Sequence, residues 1–374
     1  MEIFFFILSI AYLALLISFF ISWKKIRFSK SPEAIPSTFI SIVVAVRNEE
    51  KNIAGLLKDL NAQTYPPSLF EVLIINDHST DTTADIVKSY ISKVKFRLSI
   101  EIPDTSGNSS YKKKSIQTGV ALSKGTLIVT TDGDCRVSSE WLSSIEDFYQ
   151  QTGAKFISSP VVFFKDEGLF KKMQSIEFAS LIGSGAACLN MGIPNMCNGA
   201  NIAYEKQAFM EVDGFQGNEE VPSGDDEFLM HKIFRKYPDK VLFLKAANAV
   251  VFTEAKETLT EFFEQRKRWA SKWGSYTYLN IKVLAVFIFL YNLSLLIIGI
   301  MTMAGKYPPT LFLLQLCPKL LLETLFLADI LRLSGKKLNF FLFLGLQLLY
   351  PVYIVTIAII SRIGGYNWKG RKIR

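Results

Sequence analysis

The stretch Leu127-Ile-Val-Thr-Thr-Asp-Gly-Asp-Cys135 decides how the chain is read. Leu127 to Val129 is an apolar run of the kind that forms a strand buried on both faces. It ends in Asp132-Gly133-Asp134, two carboxylates separated by the residue that lets backbone come closest to a ligand. Asp132 and Asp134 share strand parity and can point the same way. Two carboxylates at a strand's C-terminal end suit a hard divalent cation that also holds phosphate oxygens. An Asp-Gly turn with a solvated acid accounts for the same three residues, and the stretch alone does not choose.

Working outward, the neighbouring segments set that strand in a repeating pattern. Phe39 to Val46 is a continuous apolar run, and Arg47 to Ile53 opens a helix reaching about Gln63. Phe70 to Ile75 is a second buried strand. It ends in Asn76-Asp-His-Ser-Thr-Asp81, a polar turn with N-cap residues for a helix through Tyr90. Lys95 to Ile102 reads as a third strand, Lys112 to Leu122 as a helix, and Leu127 to Thr131 as the fourth strand. This alternation predicts an α/β domain on a mainly parallel sheet, with ligands at the strands' C-terminal ends. Asp77 and Asp132 both stand at that expected crevice. Further on, Phe156 to Phe164 and Val241 to Phe252 read as strands, and Gly183 to Gly199 as a loop near a site.

The two ends have a different character. Hydrophobic residues make up 49% of the 374 residues, and the mean hydropathy is +0.25. The excess lies at the ends, which points to membrane segments around a polar middle. Residues 3 to 22 are long and apolar enough for one span. No basic region precedes them and no small-residue cleavage site follows, which argues against a cleaved signal peptide. Trp23-Lys-Lys-Ile-Arg27 then places the following domain in the cytosol by the positive-inside rule. Ser31 to Ser37, with Pro32 and Pro36, reads as a linker. Glu257 to Tyr278 reads as an amphipathic, basic and aromatic helix suited to a membrane surface. Three apolar runs follow: about Val283 to Met303, Leu311 to Leu331 and Leu338 to Ser361. The middle run contains Pro318, Lys319, Glu323 and Asp329, so it reads either as an ordinary span or as a broken, interfacial one.

The net charge is +8. It is carried by Lys24–Lys25, Lys112–Lys114, Arg266–Arg268 and the tail from Lys369, mostly beside apolar runs. Anionic lipid headgroups account for these clusters better than nucleic acid does, so no nucleic-acid partner is expected. Cys135, Cys188, Cys197 and Cys317 lack Cys-x-x-Cys spacing, and there are only 2 histidines. That argues against a zinc site and for reduced thiols.

Four further groups carry chemistry. Asp77, after the second strand, suits hydrogen bonds to a base or ribose, or caps the next helix. Lys112-Lys-Lys114 suits a diphosphate, or is a solvated charge run. Asp225-Asp226, after Ser223-Gly224 and before an apolar helix, suits a general base with an orienting neighbour, or complements a helix dipole. In Gln265-Arg-Lys-Arg-Trp269, Trp269 can stack on a sugar while Gln265 and Arg268 reach phosphate or hydroxyls; a juxtamembrane anchor has the same composition.

Taken in order and spacing, these groups resemble the family 2 inverting glycosyltransferases of GT-A fold. The likeness is strongest to the membrane-embedded branch with ceramide glucosyltransferases and chitooligosaccharide, hyaluronan and cellulose synthases. It runs from about Ser37 to Trp273. It implies a Rossmann-like, mainly parallel α/β domain over residues 37–254, flanked by transmembrane helices. The rest would be an N-terminal helix over 1–23, an interface helix over 255–280 and a membrane region of two or three spans over 281–374. It implies that Asp132 and Asp134 hold Mg²⁺ or Mn²⁺, and that Asp77, Lys112, Asp132, Gln265, Arg268 and Trp269 bind a nucleotide sugar, most economically a UDP-sugar. Asn76 replaces the first acid of the usual Asp-Asp pair, and Tyr111 replaces the glycine before the diphosphate lysine. Lys113 and Lys114 are therefore alternatives to Lys112. Asp226 would be the catalytic base beside Asp225, with Gly199, Asn201 and Trp269 on the acceptor side.

The implied activity is transfer of a hexosyl or N-acetylhexosaminyl group to a lipid acceptor, at a membrane such as the bacterial inner membrane, with the domain cytosolic. A processive synthase extending a glycan across the membrane is the alternative within the family. An inactive nucleotide- or carbohydrate-binding membrane protein is the alternative outside it. A soluble nucleotidyltransferase leaves the apolar ends unexplained.

Overall fold

The computed structural model describes residues 2–28, 35–104, 110–219, 221–363, 365–368 and 371–373. Part of the expected linker and half of the basic tail lie outside them. The chain divides into two compact units. One comprises Ile26–Lys165 and Pro194–Glu254; the other comprises Met1–Lys25, Asp166–Ile193 and Ala255–Arg374.

The first unit is the α/β domain. Its strands are β1 (Ile40–Val46), β2 (Phe70–Asn76), β3 (Arg97–Glu101), β4 (Leu127–Thr130), β5 (Arg136–Val137), β6 (Phe156–Ser158), β7 (Val161–Phe164), β8 (Ile202–Glu205), β9 (Val241–Phe243) and β10 (Val251–Glu254). Seven of them form one sheet in the order β3-β2-β1-β4-β8-β6-β9, and β5-β10-β7 form a second. β1 to β4 are mutually parallel, while β8 runs antiparallel to both β4 and β6. The expected strand over 156–164 is two strands in different sheets, broken at Ser159-Pro160; Pro cannot continue a ladder as a donor. The expected strand over 241–252 likewise divides into β9 and β10.

β1 and β2 are almost wholly buried, as their unbroken Ile and Val content predicts. A helix over Tyr111–Leu122 packs on them closely enough that a Cβ on Gly119 would lie 2.4 Å from Val43 Cγ1. At the sheet's other edge a buried carboxylate is fully used. Glu71 accepts from Ser41 Oγ at 2.7 Å and from the Lys124 N–H at 2.6 Å. Such bonds offset the cost of burying it.

In the second unit, α1 (Glu2–Lys25), α10 (Leu279–Met303), α11 (Pro309–Leu333) and α12 (Phe340–Ile360) are each long and apolar enough to cross a membrane. These numbers follow chain order, with α2 (Ile53–Asn61), α3 (Thr83–Tyr90), α4 (Tyr111–Leu122), α5 (Trp141–Thr152), α6 (Leu169–Asn190), α7 (Lys206–Glu211), α8 (Asp225–Lys236) and α9 (Leu259–Ser271) between. Tyr12 stacks on Tyr291 with ring centroids 3.7 Å apart, beside Phe5, Leu16, Leu295 and Ile298. The polar residues that made the middle apolar run ambiguous line one face of a continuous helix. On α11, Gln315 accepts from Ser9 at 3.1 Å, Glu323 from Tyr12 at 2.8 Å, and Asp329 from Trp23 at 2.8 Å. Lys319 pairs with Glu323 at 2.8 Å. They knit α11 to α1, the role polar groups take where the surroundings offer no water.

Residues 183–190, expected as loop, are the last turns of α6. The small side chains there serve helix packing: a Cβ on Gly183 would lie 2.0 Å from Ile330 Cδ1 of α11. This segment therefore belongs with the apolar helices, and the α/β unit is discontinuous in sequence where a single run over 37–254 was expected.

Candidate active site

The parallel register brings three strand ends to one edge: Val46 of β1 pairs with Asn76 of β2, and Val43 pairs with Thr130 of β4. β8 is antiparallel, so its first residue, Ile202, pairs with Thr130 at that same edge. The sequence order Asp77, Asp132–Asp134 and Gly199–Asn201 thus becomes a spatial cluster through strand direction alone.

The β1 and β2 ends are joined by their loops. The Asp77 N–H donates to Val46 O at 2.8 Å. Arg47 Nη1 donates to Asp77 O at 2.8 Å and to His78 O at 2.9 Å. Asn48 and His78 both have positive φ, 53° and 51°, a conformation Asn and His enter more readily than most residues. The Asn76 side-chain oxygen accepts from the Ser79 N–H at 3.0 Å. That is a local side-chain-to-backbone bond three residues on, and an amide oxygen makes it as well as a carboxylate does. The departure from Asp-Asp at this position therefore leaves the loop intact. Asp77 itself is 3% exposed.

After β4, Gly133 is needed for space: a Cβ there would lie 2.9 Å from Val46 Cγ1 and 3.1 Å from Glu49 Cγ. Asp132 and Asp134 on either side are half-buried. The Cys135 thiol donates to Asp134 Oδ1 at 3.6 Å. Burial pushes this thiol well above its ordinary pKa, so it stays protonated and unreactive.

Of the three adjacent lysines, Lys112 reaches the carboxylates. Its Nζ is 2.8 Å from Asp132 Oδ1 and 3.7 Å from Asp225 Oδ2. Lys113 is turned elsewhere, donating to Asn218 O at 2.6 Å and Val221 O at 2.7 Å. Burial works against the Lys112 ammonium, but the charges of Asp132 and Asp225 outweigh it and hold its pKa above the ordinary lysine value. Asp225 moves up as well: burial raises it most, Lys112 pulls it down, and Asp226 and Asp132 push it up again. A cation among crowded acids gives both results.

Asp226 opens α8 beside Asp225. Its Oδ2 accepts from the Gly199 N–H at 2.7 Å, and its Oδ1 from the Glu227 N–H at 2.8 Å. Thr130 Oγ1 in turn donates to Gly199 O at 2.8 Å. The chain of contacts Asp132–Lys112–Asp225 on one side and Thr130–Gly199–Asp226 on the other closes around the end of β4. Gly199 is the close approach within it, since a Cβ would lie 3.3 Å from Asp225 Oδ2 and 3.4 Å from Asp226 Oδ2.

Asn201 does not belong to this group as an open, acceptor-facing residue. It is 0% exposed. Its Nδ2 donates to Pro160 O and Ala249 O, both at 2.8 Å, and its Oδ1 accepts from Trp141 Nε1 at 3.1 Å. The amide is fully used in tying strand ends together, and it serves as a structural tie.

Gln265, Arg268 and Trp269 lie on α9 of the other unit, whose start is a capping box between Thr258 and Glu261. Gln265 Oε1 accepts from Arg266 Nη1 at 2.6 Å, and Trp269 lies 5.8 Å from Phe178, centroid to centroid. The Arg268 guanidinium makes no hydrogen bond or ion pair among the described residues. The sequence assigned the basic runs to lipid headgroups. Lys112, Lys113 and Arg266 instead face protein partners in the interior. What the sequence left unnoticed are Arg47, Thr130 and the Glu177–Arg266 pair; Thr130 and Glu177 sit in stretches with no polar pattern to single them out.

Among the described residues no group of three or more His, Cys, Asp or Glu side chains stands ready to hold a metal ion. Asp132 and Asp134 supply two carboxylates. That number fits an ion of the Mg²⁺ type, which takes one or two protein carboxylates and completes its shell with phosphate oxygens and water.

Residues 41–213 match the family model described as Glycosyl transferase family 2. The chain is 32% identical over 130 residues to the glycosyltransferase AglE of Haloferax volcanii, covering 35% of this chain and 41% of that one. It is 29% identical over 238 residues to the beta-monoglucosyldiacylglycerol synthase of a Nostoc species, covering 62% of this chain and 48% of that one. It thus spans less than half the length of these curated relatives. In structure it is similar to the mannosyltransferase PcManGT from Pyrobaculum calidifontis, solved with GDP-Man and Mn²⁺. The TM-score is 0.57 at 15% identity, over 97% of this chain and 99% of that one.

Proposed function

We propose, from the match of residues 41–213 to the Glycosyl transferase family 2 model, that the chain transfers a sugar from a nucleotide sugar to a lipid acceptor at a membrane, with inversion. The observation that carries the reading is the pair of linked carboxylate groups at one sheet edge. Asp132 is held by Lys112, and Asp226 is oriented by the Gly199 N–H at 2.7 Å.

In this reading Asp77 contacts the nucleoside, a uridine in the simplest case, from the Arg47-braced loop. Lys112 leaves Asp132 for the donor's diphosphate and offsets its charge. Asp132 and Asp134 would hold Mg²⁺ or Mn²⁺, which would supply charge stabilisation for the departing nucleotide. Asp226 takes the proton of the acceptor hydroxyl as that oxygen attacks the anomeric carbon from the face opposite the leaving group. Its two backbone N–H bonds fix the carboxylate's direction and leave lone pairs for the proton. Asp225 keeps Lys112 in place, and Gly199 leaves room on the acceptor side. The family likeness also carries roles for α9: Arg268 for the diphosphate, Gln265 for donor hydroxyls or phosphate, and Trp269 for a wall against the acceptor. An Arg268 with no protein partner among the described residues supports its share.

Four helices fit to cross a membrane, and a relative whose name is that of a glucosyldiacylglycerol synthase, support a lipid acceptor over a polymer. The basic run at the end of α1 supports a cytosolic catalytic unit. Full-length protein in native-lipid nanodiscs, given labelled UDP- and GDP-sugars with lipid extracts, tests this by mass spectrometry. A lipid carrying one added hexose or N-acetylhexosamine is expected. Long polymer, or hydrolysis without any glycosylated product, overturns the lipid-acceptor reading.

A further inference from the structure

The Glu177–Arg266 pair has no role in the scheme above. Glu177 on α6 is 4% exposed and Arg266 on α9 is 3% exposed. Arg266 Nε donates to Glu177 Oε1 at 3.0 Å, and its Nη2 donates to Oε2, so the contact is a two-point fork. Tyr353 of α12 donates its hydroxyl to the same Oε1 at 3.0 Å. From this anchored position Arg266 holds both of its neighbours in the motif. Its Nη1 donates to Gln265 Oε1 at 2.6 Å. The guanidinium carbon lies 4.2 Å from the Trp269 ring centroid, and 4.5 Å from Phe262 on its helix.

A buried ion pair gains little stability, because desolvation of both charges offsets their attraction. What it does supply is geometry. A guanidinium is a flat fork that can pair with a carboxylate in its plane and stack on an aromatic ring across it, which an ammonium cannot do. Here the plane is set by Glu177 and Tyr353, and the ring stacked on it is Trp269.

We propose that Arg266 is a positioning residue for transfer: clamped by Glu177 and Tyr353, it sets the side-chain orientation of Gln265 and Trp269. This rests on the reading that Gln265 and Trp269 take part in transfer. It also makes the apolar helix α12, through Tyr353, part of what orients the motif.

The test uses full-length protein in nanodiscs labelled with 5-fluorotryptophan, the Trp269 resonance being identified with Trp269→Phe. Three variants are compared: Glu177→Gln, Arg266→Lys and the milder Tyr353→Phe, which keeps the fork and covers failure of the others to fold. Each is expected to move the Trp269 fluorine resonance and leave those of the other tryptophans in place. Arg266→Lys is expected to lower kcat/KM on the order of 10- to 100-fold, the cost of misplacing a positioning group. In a Gln265→Ala/Trp269→Ala background it is expected to lower kcat/KM no further. An unmoved resonance in the folded variants overturns the proposal, as does a loss that simply multiplies with that of the double variant. The resonance is read without turnover, so a chain that transfers no sugar refutes the proposed function and leaves this test readable.

Discussion

Replacing Lys112 by glutamine removes a cation seated between Asp132 and Asp225, at 2.8 Å and 3.7 Å from their oxygens. Glutamine keeps most of the length and can still donate one hydrogen bond, so the loss is mainly charge. A hydrogen bond to a charged group contributes about 1.5–3 kcal/mol net. With the Lys112 side chain 22% exposed, the lower half of that range is the working figure, reading as a few degrees in the unfolding midpoint. The pH dependence is the sharper consequence. Burial, Asp226 and Asp132 already raise Asp225, and Lys112 is what opposes them. Without it the carboxyl's folded-state pKa rises further. An acid with a raised folded pKa costs stability above that pKa and ceases to cost it once protonated. The gap between wild type and Lys112→Gln is therefore expected to be widest at pH 7–9 and to close towards pH 4. Thermal unfolding across that range measures it. A gap that is constant with pH, or that widens on acidification, refutes the reasoning. Affinity for a nucleoside diphosphate is expected to fall on the order of tenfold in the same variant, the effect of losing one charge-assisted contact.

Other substitutions separate chemistry from structure. Gly199→Ala places a methyl 3.3 Å from Asp225 Oδ2 and 3.4 Å from Asp226 Oδ2; kcat is expected to fall at least about tenfold with an unchanged unfolding midpoint. Asn201→Ala strands the Ala249 carbonyl and an indole N–H, while Pro160 O keeps the Val251 N–H. It is expected to cost about 2–4 kcal/mol of stability by the unpaired-group cost, while kcat per folded molecule is retained. In the apolar helices, Glu323→Ala leaves the buried Lys319 with Gln347 but without its carboxylate, and is expected to lower the detergent-solubilised midpoint clearly. The double variant Lys319→Met/Glu323→Leu is expected to recover much of that loss; no recovery would mean that the pair is not the reason.

The fold was legible wherever local pattern decides it. The unbroken Ile and Val runs of β1, β2 and β4 predict buried parallel strands, and parallel direction brings Asp77 and Asp132 to one edge. Asp225–Asp226 and the α9 motif stood out by residue type, the resemblance chose between their readings, and Asp226 was then located by its bond to Gly199. Long-range packing was not legible. Gly183, Gly185, Ala186 and Ala187 read as a flexible loop because small residues serve loops and tight helix contacts equally, and only Ile330 against Gly183 distinguishes them. Asn201 was placed on the acceptor side by resemblance alone, and a sequence match reads the same whether the amide faces ligand or backbone. Arg266 vanished into a basic run because its partner, Glu177, lies far away in sequence on another helix.

The central claim is that Asp226 removes the acceptor's proton, and Asp226→Asn tests it most directly. Both oxygens accept backbone N–H groups, from Gly199 and Glu227. An amide can satisfy only one of these, at about 1–2 kcal/mol of stability, so the folded fraction is measured alongside. Single-turnover transfer from a bound, labelled nucleotide sugar is then followed with acceptor in excess. Nucleotide-sugar affinity is expected within about threefold of wild type, and a transfer rate lower by about 10²–10⁴, the usual weight of a general base. Transfer at the wild-type rate in the folded variant would contradict it.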